Sequence, residues 1–166
     1  LAISTDNCRS FVRTPYVPAT GDIPWSGESK PVELPDGKIR LFFRSDTRRI
    51  CYADYDMTAG EWSEPVRLPV LVHSGCNFGA MTDGKHIYIS HIRGRGDDAH
   101  NRARGRIYDF LLAENNEMIL RDVFRVTEGY FSYSVIIPYG DHTAAVLYDT
   151  CEHGVVRFET VDIPDE

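Results

Sequence analysis

Ser26-Gly-Glu-Ser-Lys-Pro-Val-Glu-Leu-Pro-Asp-Gly-Lys-Ile-Arg-Leu-Phe-Phe-Arg44 decides the fold. It reads as strand, Asp36-Gly37 turn, strand, because the turn needs a residue tolerant of positive φ and apolar residues flank it on both sides. The pattern returns at Ser74-Gly-Cys-Asn-Phe-Gly-Ala-Met-Thr-Asp-Gly-Lys-His-Ile-Tyr-Ile-Ser-His91. It returns again at Phe131-Ser-Tyr-Ser-Val-Ile-Ile-Pro-Tyr-Gly-Asp-His-Thr-Ala-Ala-Val-Leu-Tyr-Asp149. With the turns superposed, Glu28, the Gly75-Cys76 pair and Tyr133 fall at the start of the first strand. Arg44, His91 and Asp149 fall at the end of the second. Those two ends are neighbours in a hairpin, so the repeat gathers a carboxylate, an arginine and a tyrosine at one end of the sheets.

Further strands are predicted at Leu1–Ser4, Ile50–Asp56, Gly105–Ala113, Ile119–Val126 and Val155–Val161, besides the hairpin strands Lys30–Leu34, Ile39–Arg44, Phe78–Met81, His86–His91, Ser132–Ile137 and Thr143–Asp149. Pro15 to Trp25 and Arg93 to Arg102 read as loops. No segment keeps a helical period of 3.6 residues, and no domain boundary is visible. Nine Tyr, eight Phe and two Trp suit strands. No apolar run is long enough to span a bilayer. The formal net charge of −7 argues against general nucleic-acid affinity, so a pocket for an anionic ligand would have to be basic locally. Cys8, Cys51, Cys76 and Cys151 are far apart and form no Cys-x-x-Cys pair, which speaks against zinc and for free thiols. No Asn-x-Ser/Thr site is present.

The residues quoted resemble the sialidase (neuraminidase) family, specifically bacterial and animal exo-α-sialidases. Glu28-Ser-Lys-Pro-Val-Glu-Leu-Pro-Asp-Gly with Phe43-Arg44-Ser-Asp is similar to the segment carrying the family's catalytic glutamate and second pocket arginine. Phe131-Ser-Tyr133-Ser resembles its nucleophilic tyrosine motif. Ser4-Thr-Asp6-Asn-Cys8-Arg-Ser-Phe11 is similar to the Asp-box, Ser-x-Asp-x-Gly-x-x-Trp, with Cys8 in place of Gly and Phe11 in place of Trp. Tyr52 to Trp62 matches a second box only in its closing Gly-x-Trp-Ser.

The resemblance implies an all-β, sialidase-like β-propeller. A blade takes ~40–50 residues, so 166 residues make roughly three to four blades of the family's six. The expectation is that residues 1–166 are the C-terminal part of a catalytic domain. The first pocket arginine and the acid/base aspartate of relatives have no counterpart in the chain. Tyr133 is expected as nucleophile and Glu28 as its base, with their side chains approaching hydrogen-bond range. A neutral phenol attacks a carboxylate-bearing anomeric carbon without the repulsion a carboxylate nucleophile would meet. Arg44 and Arg104 are expected to clamp the substrate carboxylate, a guanidinium binding it with two parallel hydrogen bonds. Arg104 is preferred because it precedes Ile107 by three residues, as in relatives. Arg102 and Arg106 are its rivals, and Arg93 and Arg95 are weaker candidates. Asp149 takes the place of a glutamate that orients the first arginine. His91 is set aside as structural, and Ser4 and Asp6 as turn stabilisers.

The implied activity of the complete domain is release of terminal sialic acid from sialylated glycans with retention, without metal or cofactor. The 166-residue chain by itself is expected to be inactive and prone to self-association or to pairing with the rest of the propeller. A secreted or cell-surface setting follows from the resemblance alone. Two other readings stay open, a non-catalytic glycan-binding propeller and a glycosidase acting on another acidic keto-sugar.

Overall fold

The computed structural model describes all residues except 25, 73–74, 94–101, 152–153 and 165–166. No helix occurs among the described residues. A short ribbon pairs β1 (Ala2–Ile3) with β2 (Val12–Arg13). The first sheet runs β3 (Ser26–Glu33), β4 (Ile39–Ser45), β5 (Arg49–Asp56), with β6 (Glu61–Trp62) and β7 (Val66–Val72) both pairing on β5. The second holds β8 (Gly79–Thr82), β9 (His86–Ile92), β10 (Gly105–Leu112) and β11 (Met118–Arg125) in sequence order. The third holds β12 (Ser132–Pro138), β13 (Thr143–Asp149) and β14 (Val156–Asp162). Every pairing is antiparallel, as hairpins in series dictate.

The three quoted hairpins are β3–β4, β8–β9 and β12–β13. Gly37, Gly84 and Gly140 sit at their tips with φ of 80°, 91° and 77°. Only glycine takes that backbone without a Cβ clash, which is why the turn could be read from sequence. The first strands of the three hairpins are neighbours, β8 lying between β3 and β12. The repeated hairpins therefore converge on one line.

The sheets stack face to face. Phe42, Leu71, Phe78, Ile87, Ile89 and Phe110 fill the layer between the first and second sheets. Ile92, Ile107, Phe131, Ala144, Val146 and Tyr148 fill the layer between the second and third. A third cluster joins Ile23, Leu41, Phe43 and Cys51 to Leu1, Val17 and Trp62 under the N-terminal segment. Each of the first two sheets thus has apolar cover on both faces, and β9, in the middle, is buried along its whole length. The strand expectations hold to within a few residues. Two-residue β2 and β6 were not foreseen, nor was β7, where Pro69 interrupts the apolar run.

Ser4 and Asp6 build the turn expected of them. The Ser4 hydroxyl accepts the Cys8 amide at 2.8 Å. The Asp6 carboxylate accepts the Ser4 hydroxyl at 2.8 Å, the Arg9 amide at 3.1 Å, the Ser10 amide at 2.9 Å and the Ser10 hydroxyl at 2.7 Å. These bonds to Ser10 and Ser4 hold the Asp6 carboxyl down at about 2. Cys8 takes the left-handed backbone (φ 64°) in which the box has glycine. Around Trp62 the degenerate segment works similarly. Asp56 accepts the amides of Thr58 and Ala59 at 2.8 and 2.9 Å, and Trp62 packs on Tyr55.

Candidate active site at the convergent strand starts

Glu28 and Tyr133 occupy equivalent irregularities. Gly27 pairs with Arg44 across the β3–β4 hairpin, and the next pair is Ser29 with Phe43, so Glu28 is an extra residue. Ser132 pairs with Asp149 across β12–β13, and the ladder resumes at Val135 with Leu147. Tyr133 falls in that gap. Each residue has a left-handed backbone, φ 32° at Glu28 and 48° at Tyr133. For a residue with a Cβ this costs energy, of order 1–3 kcal/mol, and such bulges re-aim a side chain out of the strand's alternation. In the middle repeat Gly75 takes the same region at φ 77°, followed by buried Cys76. All three hairpins therefore leave regular pairing at the same end.

The Glu28 carboxylate is ion-paired with Arg44, and both side chains are partly exposed. Arg44 Nε is buried without a hydrogen-bond partner among the described residues. Tyr133 is about half exposed, at 46%. The guanidinium of Arg102 lies over its ring, 5.3 Å from the centroid, in the cation–π range. Arg102 also donates to the Gly75 carbonyl at 3.4 Å. A hydrogen bond with the Tyr130 side chain holds its proton more tightly than usual, against partial burial. Among the described residues no hydrogen bond joins Glu28 to Tyr133, and the Glu28 carboxylate is engaged by Arg44.

Among the described rival arginines, Arg102 stands over the Tyr133 ring. Arg104 is half-buried with φ 59°; its amide bonds the Gly129 carbonyl and its carbonyl accepts the Arg93 amide. Among the described residues no ring contact or ion pair joins its side chain to Tyr133 or Glu28, and its left-handed backbone is of the same kind as theirs. Arg106 is engaged elsewhere. Its guanidinium donates to the carbonyls of Gly105 and Thr127 at 2.9 and 3.0 Å and to the Glu128 carboxylate at 2.6 Å. Arg95 lies outside the described residues. Asp149 is half-buried at the far strand end, with its Oδ2 at 3.5 Å from the Ser132 hydroxyl. His91 is buried, its Nδ1 at 3.2 Å from the Ile92 carbonyl. Tyr130 was not singled out from the sequence, since nothing in a lone tyrosine before a strand distinguishes it from packing.

All four cysteines are free thiols, Cys51 and Cys76 buried, Cys8 and Cys151 exposed. Among the described residues no three His, Cys, Asp or Glu side chains are grouped to hold a metal ion. No helix of the described residues is long and apolar enough to cross a membrane.

No family model matches the chain, and no curated protein matches it by sequence. Solved structures do match. The chain superposes on the intramolecular trans-sialidase of Ruminococcus gnavus, crystallised with oseltamivir carboxylate, with a TM-score of 0.76 and 20% identity over 98% of its length. It superposes on the leech intramolecular trans-sialidase, complexed with 2,7-anhydro-Neu5Ac, with a TM-score of 0.76 and 19% identity over 97% of its length. NanB sialidase of Streptococcus pneumoniae, as its K499G mutant, gives 0.70 and 22% over 98%. The chain spans 37% of the Ruminococcus structure, 27% of the leech structure and 26% of NanB. The all-β architecture, the converging hairpins and these superpositions together give the chain the fold of part of a sialidase β-propeller.

Proposed function

We propose that the chain is the C-terminal part of an exo-α-sialidase domain, which removes terminal sialic acid from glycans with retention. The observation that carries this reading is the pair of equivalent left-handed bulges that present Glu28 and Tyr133, each beside a hairpin-end partner, Arg44 or Asp149. Backbone strain repeated at corresponding positions needs a use, and presentation of two reacting side chains is one.

In the reading, Arg44 and Arg102 clamp the substrate carboxylate. Arg44 is partly exposed beside Glu28, and the Arg102 guanidinium stands over the Tyr133 ring. Binding the carboxylate to Arg44 would loosen its ion pair with Glu28 and release that carboxylate towards Tyr133. The Tyr133 oxygen then bonds to the anomeric carbon as its proton passes to Glu28. The glycosidic C–O bond breaks, its oxygen taking a proton from an aspartate supplied by other blades. Water hydrolyses the tyrosyl intermediate, Glu28 acting in reverse. Arg104, half-buried with a left-handed backbone, remains a candidate for the same carboxylate, and Asp149 keeps a supporting role beside Ser132.

One observation favours a second reading, a binding propeller without turnover: Glu28 meets Arg44 rather than Tyr133. Tyr133→Phe in the complete protein separates the two. It removes one oxygen and leaves the clamp. Turnover of a sialoside should collapse while an unsaturated sialic acid analogue still binds by calorimetry. Arg44→Lys should instead weaken analogue binding by about 1–3 kcal/mol, since the charge stays and the two-pronged geometry goes. A wild-type protein that binds sialosides and never cleaves them would establish the second reading.

A further inference from the structure

Tyr133 and Arg102 belong to two chain segments that are laced together in front of β10 and β12. The Phe131 amide donates to the Arg102 carbonyl at 2.9 Å, and Ala103 forms a bridge with Tyr130. The Arg104 amide donates to the Gly129 carbonyl at 2.9 Å. The Gly105 carbonyl accepts the amides of Val126 and Thr127 at 2.9 and 3.2 Å and the Arg106 guanidinium at 2.9 Å. Arg106 closes the lacing through Thr127 and Glu128. Arg102 thus hangs from one segment and Tyr133 from the other, and their separation depends on how closely the two run.

That closeness has a steric limit at Gly105. A Cβ on this residue would lie 2.2, 2.6 and 2.6 Å from three ring atoms of Phe131. Gly105 has no positive φ, so its lack of a side chain is a matter of space and not of backbone conformation. The Phe131 ring cannot easily yield. It is 1% exposed and packs on Tyr148 on its other side, at 4.7 Å between centroids. Phe131 lies two residues before Tyr133, with only Ser132, itself fully buried, between them.

We infer that Gly105 is a positioning residue. By admitting the Phe131 ring against its backbone it sets the bulge that carries Tyr133 and the distance from that tyrosine to Arg102. The inference deepens the proposed function. Its geometric part does not depend on it. A reacting group displaced by an ångström can lose about 10²-fold in rate.

The test uses the full-length protein labelled with 3-fluorotyrosine. The Tyr133 fluorine resonance is assigned by its loss in Tyr133→Phe. Gly105→Ala should move this resonance and lower kcat on a sialoside by about 10²-fold, with KM changed much less. Adding Phe131→Leu to Gly105→Ala makes room for the new methyl. The resonance should return towards its wild-type position, and at least a tenfold part of the lost kcat should return with it. Should Gly105→Ala not fold, Phe131→Leu alone serves: with the ring gone, the Tyr133 resonance should shift or broaden in a protein that still melts cooperatively. A Tyr133 resonance unmoved by either substitution overturns the inference. So does a shift in Gly105→Ala that Phe131→Leu fails to reverse. A resonance that moves and returns in a protein with no wild-type turnover supports the positioning role and removes the proposed catalytic function instead.

Discussion

At the scale of single residues, energy is concentrated where side chains replace regular backbone pairing. Asp6 is the clearest case, because two amides and two hydroxyls converge on its carboxylate. Its ordinary value of 3.8 falls to about 2 in the fold. A carboxyl depressed by folding stabilises the native state above its unfolded value, and that contribution is lost as pH falls through the folded value. The stability difference between wild type and Asp6→Asn should therefore be constant above about pH 5 and shrink between pH 4 and pH 2. Melting temperatures of both proteins across that range check it. A difference that stays constant to pH 2 would mean that the turn does not depend on the charge. The Asp-box pattern made this site legible, because the spacing of Ser4, Asp6 and Cys8 determines which amides can be reached. The choice among Arg102, Arg104 and Arg106 was not legible. Alternating residues that precede a strand differ only in which face they meet, and register is not written in an arginine-rich stretch.

At the scale of strands and sheets, the repeat predicted the hairpins because Asp-Gly and Gly-Asp turns between apolar runs have few other solutions. It could not predict the bulges at Glu28 and Tyr133, since each lies at the start of a strand, where too few paired residues precede it to show the phase shift that an extra residue makes. Nor could it predict close approach between sheets. Gly79 is the clearest example. A Cβ there would lie 2.5 Å from the Ser90 hydroxyl and 2.7 Å from the backbone nitrogen of Ile136. The second obstacle is backbone of the neighbouring β12, which cannot rotate away. Around it Ser134 donates to the Ser90 carbonyl at 2.9 Å, so a polar contact is seated at the same crossing. Gly79→Ala should destabilise the protein by about 1–3 kcal/mol, the cost of overpacking a fixed interior. Gly21→Ala is the comparison, since nothing lies within 4 Å of its added methyl. It should stay within about 0.5 kcal/mol of wild type. Urea unfolding of both variants measures the contrast, and equal midpoints would show that β8 and β12 are free to separate.

At the scale of the whole molecule, burial is asymmetric across the stack. Among the described residues the second sheet has a core on each face, whereas the third has one only on the side of Ile136, Ala144 and Val146. Its other face carries a cross-strand row, Val135 opposite Leu147 and Leu147 opposite Phe158. These side chains are 48%, 37% and 50% exposed, with Ile137 at 43% near them. Contiguous apolar side chains on a sheet face mark a surface that ordinarily has cover. On the proposed reading another blade of the complete domain supplies it. The 166-residue chain produced alone should then associate as its concentration rises, and it should not hydrolyse sialosides. Replacing Leu147 and Phe158 by Lys places two charges in the middle of the row. Sedimentation should shift towards monomer, while the melting temperature changes little because neither residue belongs to a buried cluster. A wild-type chain that sediments as a monomer at every concentration would show that water is an adequate neighbour for this face. Turnover by that monomer would count against the division of catalytic groups between this chain and other blades, because the leaving oxygen would then find its acid within these 166 residues.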